Sequence, residues 1–316
     1  MGLFSNFNKD KNKVNNEKKQ NQEQRFHQDV SQEIDPTVRP GGVFTIQLLM
    51  KERCEMPSNE KVLEVLTKYL GSVERFGDKR DSFMNFISND YSYDTGYGII
   101  KPILTIFDCN EFLFENIDDF NRSQMWDCLD ERDDILSECK YQVVACDILG
   151  GGLASGVRAN MLMYYLDALV ELYPQCEAIY NLNSGKLILA DEVRKKEILG
   201  LNRFIRFAVN VRLFNVEGKE DKIVDTLGLS TVCIQDLQYH FRGMDPNWVV
   251  NHAYVMACYL LNNDNPIKDG DTIDGIRDGE IVQDIQWKCQ YEHALVQPFR
   301  KVIDICMDEY AAGIME

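Results

Sequence analysis

Apolar side chains recur along this chain with two periods, and each change of period marks a new element. Residues 43–50 place Phe44, Ile46, Leu48 and Met50 on one side of an extended segment, the alternation of a half-buried strand. Pro57 and Ser58 then open a helix. Ser58 is its N-cap, Val62, Leu66, Tyr69 and Leu70 form the buried stripe, and Gly71 stops it. Residues 83–88 and 99–107 read as strands, with Pro102 making the start of the second an edge or a bulge. A polar, acidic helical region follows over 115–138, then a buried strand over 141–148.

The rhythm continues loosely in the second half. Residues 160–173 carry Leu162, Leu166, Leu169 and Tyr173 at helical spacing, and Pro174 ends that helix. Residues 178–183 form a strand that closes in the turn Asn183-Ser184-Gly185. The clearest alternation spans 204–214, with Ile205, Phe207, Val209, Val211 and Leu213 facing in and Arg206, Asn210 and Arg212 facing out. Another strand, 233–241, turns Leu237, Tyr239 and Phe241 inward. Asp245 caps and Pro246 starts a helix over 246–261 that is apolar nearly all round, which predicts deep burial. A strand at 281–291 and a closing helix at 299–310 complete the pattern. Strands that follow one another without a helix between them argue against a doubly wound parallel sheet. The expected class is α+β: one body of two related halves, about 41–150 and 151–316, each a mainly antiparallel sheet with packed helices in a ferredoxin-like pseudo-repeat.

Composition adds a division at the start of the chain. Residues 1–32 hold eleven Asn and Gln and five Lys, with almost no apolar residues after Phe7, so 1–40 reads as a disordered polar tail. Removing the tail's seven basic and six acidic residues from the chain's 34 and 51 leaves a body of formal net charge −18. Such a body repels phosphates, which speaks against DNA or RNA as partners and for a protein partner with a basic surface. No apolar run is long enough to span a membrane, and the start lacks both a secretory pattern and, with Asn6 at the sixth position, a myristoylation pattern. Ten cysteines lie mostly inside apolar runs without a CxxC pair, as in a cytoplasmic protein with reduced, buried thiols. The four histidines do not pair with them at zinc spacing, so neither a metal nor a cofactor is expected.

Several groups could carry chemistry. Gly150-Gly151-Gly152 and Gly156 sit between a strand and a helix but match neither phosphate-loop pattern. Their amides with Arg158 remain a candidate anion site, against the plainer reading of a connector. Asp236, Gln238 and His240 share one strand face, so Asp236 and His240 are candidates for a general-base pair, or else part of a solvent-facing polar row. Arg206, Arg212, Ser184 and Lys186 are candidates for a carboxylate or phosphate clamp, or for ordinary salt bridges. The acids after the 246–261 helix miss calcium-loop register, and Asp-Gly turns at 269–270 and 274–275 suffice to explain them. The segment 108–138, with eleven acids and two arginines, is a solvated face or a lure for a basic partner.

Short strings give the chain a further likeness: YQVVACDIL with the following RANMLMYYLDALVELYP, the NSGK at 183–186, DTLGL at 225–229, DLQYHF at 236–241 and KDGDTI at 268–273. In order and spacing they resemble the bacterial family catalogued as domain of unknown function 4261. The resemblance covers roughly residues 43–290 and implies kinship without implying a catalytic set. Two functional expectations follow. One is a cytoplasmic protein-binding or accessory module without catalysis. The alternative is an enzyme or small-anion binder with a pocket around Asp236, His240, Ser184, Lys186 and Arg206.

Overall fold

The alternation at the start of the body is realised as a strand with Phe44, Ile46, Leu48 and Met50 all buried, in a computed structural model that describes residues 41–77 and 82–312. The polar tail at 1–40 lies outside the described residues. The first sheet takes β1 (Thr45–Met50), β2 (Val73–Phe76) and β3 (Phe83–Ser88). After a separate hairpin of β4 (Tyr93–Asp94) and β5 (Ile99–Ile100), it adds β6 (Ile103–Phe107), β7 (Asn110–Glu111), β8 (Tyr141–Ile148), β9 (Ala178–Asn181) and β10 (Lys186–Leu189). Its order is β10-β9-β1-β8-β6-β3-β2 with β7 beside β8, antiparallel throughout. The second sheet takes β11 (Asn210–Asn215), β12 (Lys222–Leu227), β13 (Asp236–Phe241), β14 (Thr272–Arg277), β15 (Glu280–His293) and β16 (Lys301–Cys306). Its order is β11-β12-β13-β16-β15-β14, with β13 and β16 parallel.

Seven α-helices are present among the described residues: α1 (Asn59–Leu70), α2 (Asp119–Arg122), α3 (Arg132–Glu138), α4 (Ser155–Leu172), α5 (Ala190–Lys195), α6 (Asn202–Ala208) and α7 (Pro246–Asn262). The architecture is α+β. Ser58 caps α1 through its side chain, as expected, and Asp245 does the same for α7 by accepting from the Asn247 N–H at 2.8 Å. Helices α4, α6 and α7 contribute to one continuous core with both sheets. A second, smaller core lies on the opposite face of the first sheet, where Leu49, Tyr180 and Leu187 meet Ile117, Met125, Cys128 and Leu136 of the acidic segment.

Five expectations need correction. The predicted strand 204–214 is helix α6 as far as Ala208, and only β11 is extended. Phe204, Ile205, Phe207 and Ala208 also fit helical spacing, and α6 buries all four. Arg203, held by both oxygens of Asp167 in α4 (2.9 and 2.6 Å), fixes that helix in place. The predicted closing helix is instead β16, whose Val302, Ile303 and Ile305 are buried between β13 and β15. The acidic segment 115–138 is not one helical region but a chain of short turns and helices. Its buried positions Ile117, Met125, Cys128 and Ile135 share a helical period but are supplied by separate short elements and the turns between them. Helix α7 is covered on one face only, since Val255 and Tyr259 are exposed. Gly275 is not in a tight turn but inside β14, at a bulge where it passes close to Trp287.

The change from one sheet to the other falls between Leu189 and Asn210 rather than near 150, because the β9-β10 hairpin returns to pair with β1. The two sheets differ in strand order, and the topology does not confirm the ferredoxin-like pseudo-repeat.

Candidate functional site

Arg212 was expected to face out, yet it is 2% exposed, because its register partner across β12 is Asp225. Asp225 takes the guanidinium on both oxygens, Nε at 2.8 Å and Nη2 at 2.6 Å. The same carboxylate accepts from Arg300 Nη2 at 2.8 Å, and Arg300 Nε reaches Asp236 at 3.1 Å. Asp236 also accepts from the Leu229 N–H and the Thr226 hydroxyl. Burial pushes the Asp236 carboxyl up, against the pull of Arg300. The two guanidiniums donate further to the carbonyls of Val296, Gln297 and Pro298. Two carboxylates and two guanidiniums thus balance inside the fold and tie loop 294–300 to the second sheet.

Asp236 is therefore neither on an open polar row nor paired with His240, whose Nε2 lies 3.6 Å from Asp221. The glycine of DTLGL also has a packing role. Gly228 adopts φ +125°, and a Cβ there would meet the Ala208 carbonyl at 2.7 Å and Ser184 at 3.0 Å. The string at 225–229 thus touches the string at 183–186 at the junction of the two sheets.

Other candidates are likewise engaged. Arg158, 1% exposed, clasps Asp147 (Nη2–Oδ1 2.8 Å, Nε–Oδ2 3.2 Å) and donates to the Gly42 carbonyl at 2.7 Å. The glycines 150–152 form a short turn above that pair. Ser184 accepts the Lys186 N–H at 3.4 Å within its turn. His252, weighed in the sequence only against zinc spacing, is buried. Its Nε2 donates to the Asp274 carbonyl at 2.8 Å, so its Nδ1 accepts from the Tyr239 hydroxyl at 2.9 Å, and burial lowers its pKa.

Lys186 and Arg206 are brought together. Lys186 opens β10, the edge of the first sheet, and Arg206 lies in α6. Both pair with Asp127, Lys186 Nζ at 2.7 Å and Arg206 through Nη1. Lys186 Nζ also donates to the Val209 carbonyl at 3.0 Å. Burial pulls its ammonium down to about 7. The turn that carries Asp127 is pinned across the edge of β11: Gln124 Oε1 accepts from the Leu213 N–H at 3.0 Å and the Trp126 indole at 3.2 Å.

These groups line a groove of about 340 Å³ where the two sheets adjoin. Lys186 is at its base, and Val211 and Leu213 form one wall. The facing wall is a stripe of α7, Asn247, Val250, Asn251 and Tyr254, spaced three and four residues apart. Trp126, 46% exposed, stands at the rim. Asp127, Trp126 and Tyr254 were not singled out in the sequence, since nothing local connects residue 127 to residue 186. A larger groove of about 540 Å³ beside Val255, Tyr259 and Ile281 is lined by no basic residue. Its Asp271 and Asp274 accept from the Lys268 N–H and from Gln286.

Among the described residues no cluster of His, Cys, Asp or Glu could hold a metal ion, and no helix is long and apolar enough to cross a membrane. Residues 225–306 match the family model described as a domain of unknown function (DUF4261). The matched segment contains Asp225, Asp236 and Arg300 but neither Lys186 nor Arg206. No curated protein and no solved structure matches the chain.

Proposed function

We propose that this chain is a binding module that takes up a small ligand with an anionic head and an apolar body in the groove between Asp127, Lys186, Arg206 and α7. One observation carries the reading: two cations converge on a single carboxylate at the base of an apolar-walled groove, in a chain of net charge −17. Arg206 sits toward the opening, with about a third of its side chain exposed, where a planar guanidinium suits a carboxylate. Val211, Leu213, Val250 and Tyr254 accommodate the ligand's body. The anion-binding expectation for Lys186 and Arg206 is kept, while Asp236, Arg158 and Arg212 have no part in it. A cytoplasmic setting belongs to the same reading, supported by ten free cysteines. Calorimetric titration of the full chain with hydrocinnamate, and with the alcohol of the same skeleton, tests it. Binding of the acid alone, lost in Arg206→Gln, is the expected result; equal binding of both, or of neither, overturns it.

A second reading, contact with a basic protein and not with nucleic acid, is favoured by the acidic segment. Its Asp119, Asp130 and Glu131 are exposed beside exposed Leu113 and Leu129. Partner capture that weakens as salt rises supports it, and capture indifferent to salt and to charge reversal rules it out.

A further inference from the structure

We propose that Lys186 forms an imine with the carbonyl carbon of an α-keto acid whose carboxylate is held by Arg206. This rests on the groove reading above and names the class of ligand and the bond it makes.

The geometry supplies each part of such a site. An ammonium has three donor positions, and Lys186 uses two, on Asp127 at 2.7 Å and on the Val209 carbonyl at 3.0 Å. The amine is thereby fixed in position while it lines the groove. Attack on a carbonyl needs the neutral amine, which burial makes available near neutral pH by drawing the ammonium down to about 7. Lysines in exposed ion pairs behave in the opposite way: Glu171 raises Lys68 and Glu192 raises Lys195, so both stay charged and unreactive.

Asp127 lies within proton-transfer distance of the amine, and Arg206 sits on its other oxygen. In the step, a C–N bond forms between Nζ and the carbonyl carbon to give a carbinolamine. The carbon–oxygen bond then breaks, and the oxygen departs as water carrying one proton of the amine, relayed by Asp127, and one proton taken up from solvent, so the nitrogen keeps its second proton and the positive charge. No oxidant or reductant is required. The charged imine that results at neutral pH remains beside the Asp127 carboxylate. Tyr254 and Trp126, with the aliphatic walls, favour a keto acid with an apolar side chain.

The probe is phenylpyruvate, added to the full chain near neutral pH with sodium cyanoborohydride, followed by intact mass measurement and peptide mapping. One reduced adduct on Lys186 of the unsubstituted protein is expected. It should be absent in Lys186→Arg, suppressed by excess hydrocinnamate, and reduced about ten-fold or more in Arg206→Gln, as loss of a charge-assisted contact requires. Mapping on the unsubstituted chain gives a result even if a variant fails to fold. No adduct, although hydrocinnamate still binds by calorimetry, overturns the imine and leaves the groove reading standing. Adducts scattered over surface lysines also overturn it. Failure of both acids to bind overturns the two readings together.

Discussion

Replacing Lys186 by methionine removes the buried amine while keeping most of its aliphatic length, and Asp127 retains Arg206. The lysine's ordinary value is 10.5 and the folded value about 7, so folding disfavours the charged form by about 3.5 units, or roughly 5 kcal/mol over the full span. Below pH 7 the amine is charged in both states and the folded protein carries that whole cost. Between about 7 and 10.5 the unfolded chain binds the extra proton, so stability from this group rises with pH by about 1.4 kcal/mol per unit. From pH 6 to pH 9 the stability of the parent minus that of Lys186→Met should therefore rise by roughly 2.5 kcal/mol. Urea denaturation followed by circular dichroism at several pH values measures it, because groups common to both proteins cancel in the difference. A difference that stays flat would show the amine charged throughout, with the Asp127 pair outweighing burial, and would refute the reasoning.

Arg300→Met should destabilise by about 3–5 kcal/mol, since it leaves Asp236 buried and underpaired; faster hydrogen exchange at the Leu295 amide, in the loop the cluster tethers, is the accompanying sign. Gly228→Ala should cost at least about 1–3 kcal/mol, from left-handed backbone strain and the Ala208 carbonyl at 2.7 Å, and thermal unfolding reads it directly. Because burial lowers the His252 pKa, its contribution is present above about 6.5 and fades as the pH falls and the unfolded chain takes up the proton. His252→Gln should abolish that part of the acid-side loss in a pH series of melting temperatures. Ser58→Ala should lose about 1 kcal/mol by removing the cap of α1.

What could be read from the chain was what local chemistry decides. Ser58, Gly71, Pro102, Asp245 and Pro246 act on their own neighbours, and the elements they bound appear close to the expected places. Residues 204–208 failed because a run such as Phe-Ile-Arg-Phe-Ala satisfies both periods, and the choice was made by Asp167, far away in the sequence. Residues 301–306 failed because a strand covered on both faces loses its alternation. The site shows the same limit. Strand period correctly grouped Asp236, Gln238 and His240 on one face but could not say that this face is covered. Arg212 and Asp225 oppose each other only once register is known. Lys186 and Arg206 were named for their charge, but Asp127, which joins them, lies 59 positions before Lys186 and was read as part of a solvated acidic face.

The position of β16 has a consequence for the order in which the protein can be made. Although last in sequence among the strands, it occupies the interior of the second sheet between β13 and β15, and Arg300 just before it bonds Asp225 and Asp236. The first sheet is complete in its strands once residue 189 is available, so it can assemble while synthesis continues. The second sheet must wait: until residue 306 leaves the ribosome, β13 and β15 each lack a neighbour, and until Arg300 emerges Asp225 and Asp236 lack their shared arginine. A nascent or truncated chain ending between those points therefore presents an unpaired sheet edge and buried-to-be carboxylates, which makes this interval the one in which a chaperone or a protease has most to act on.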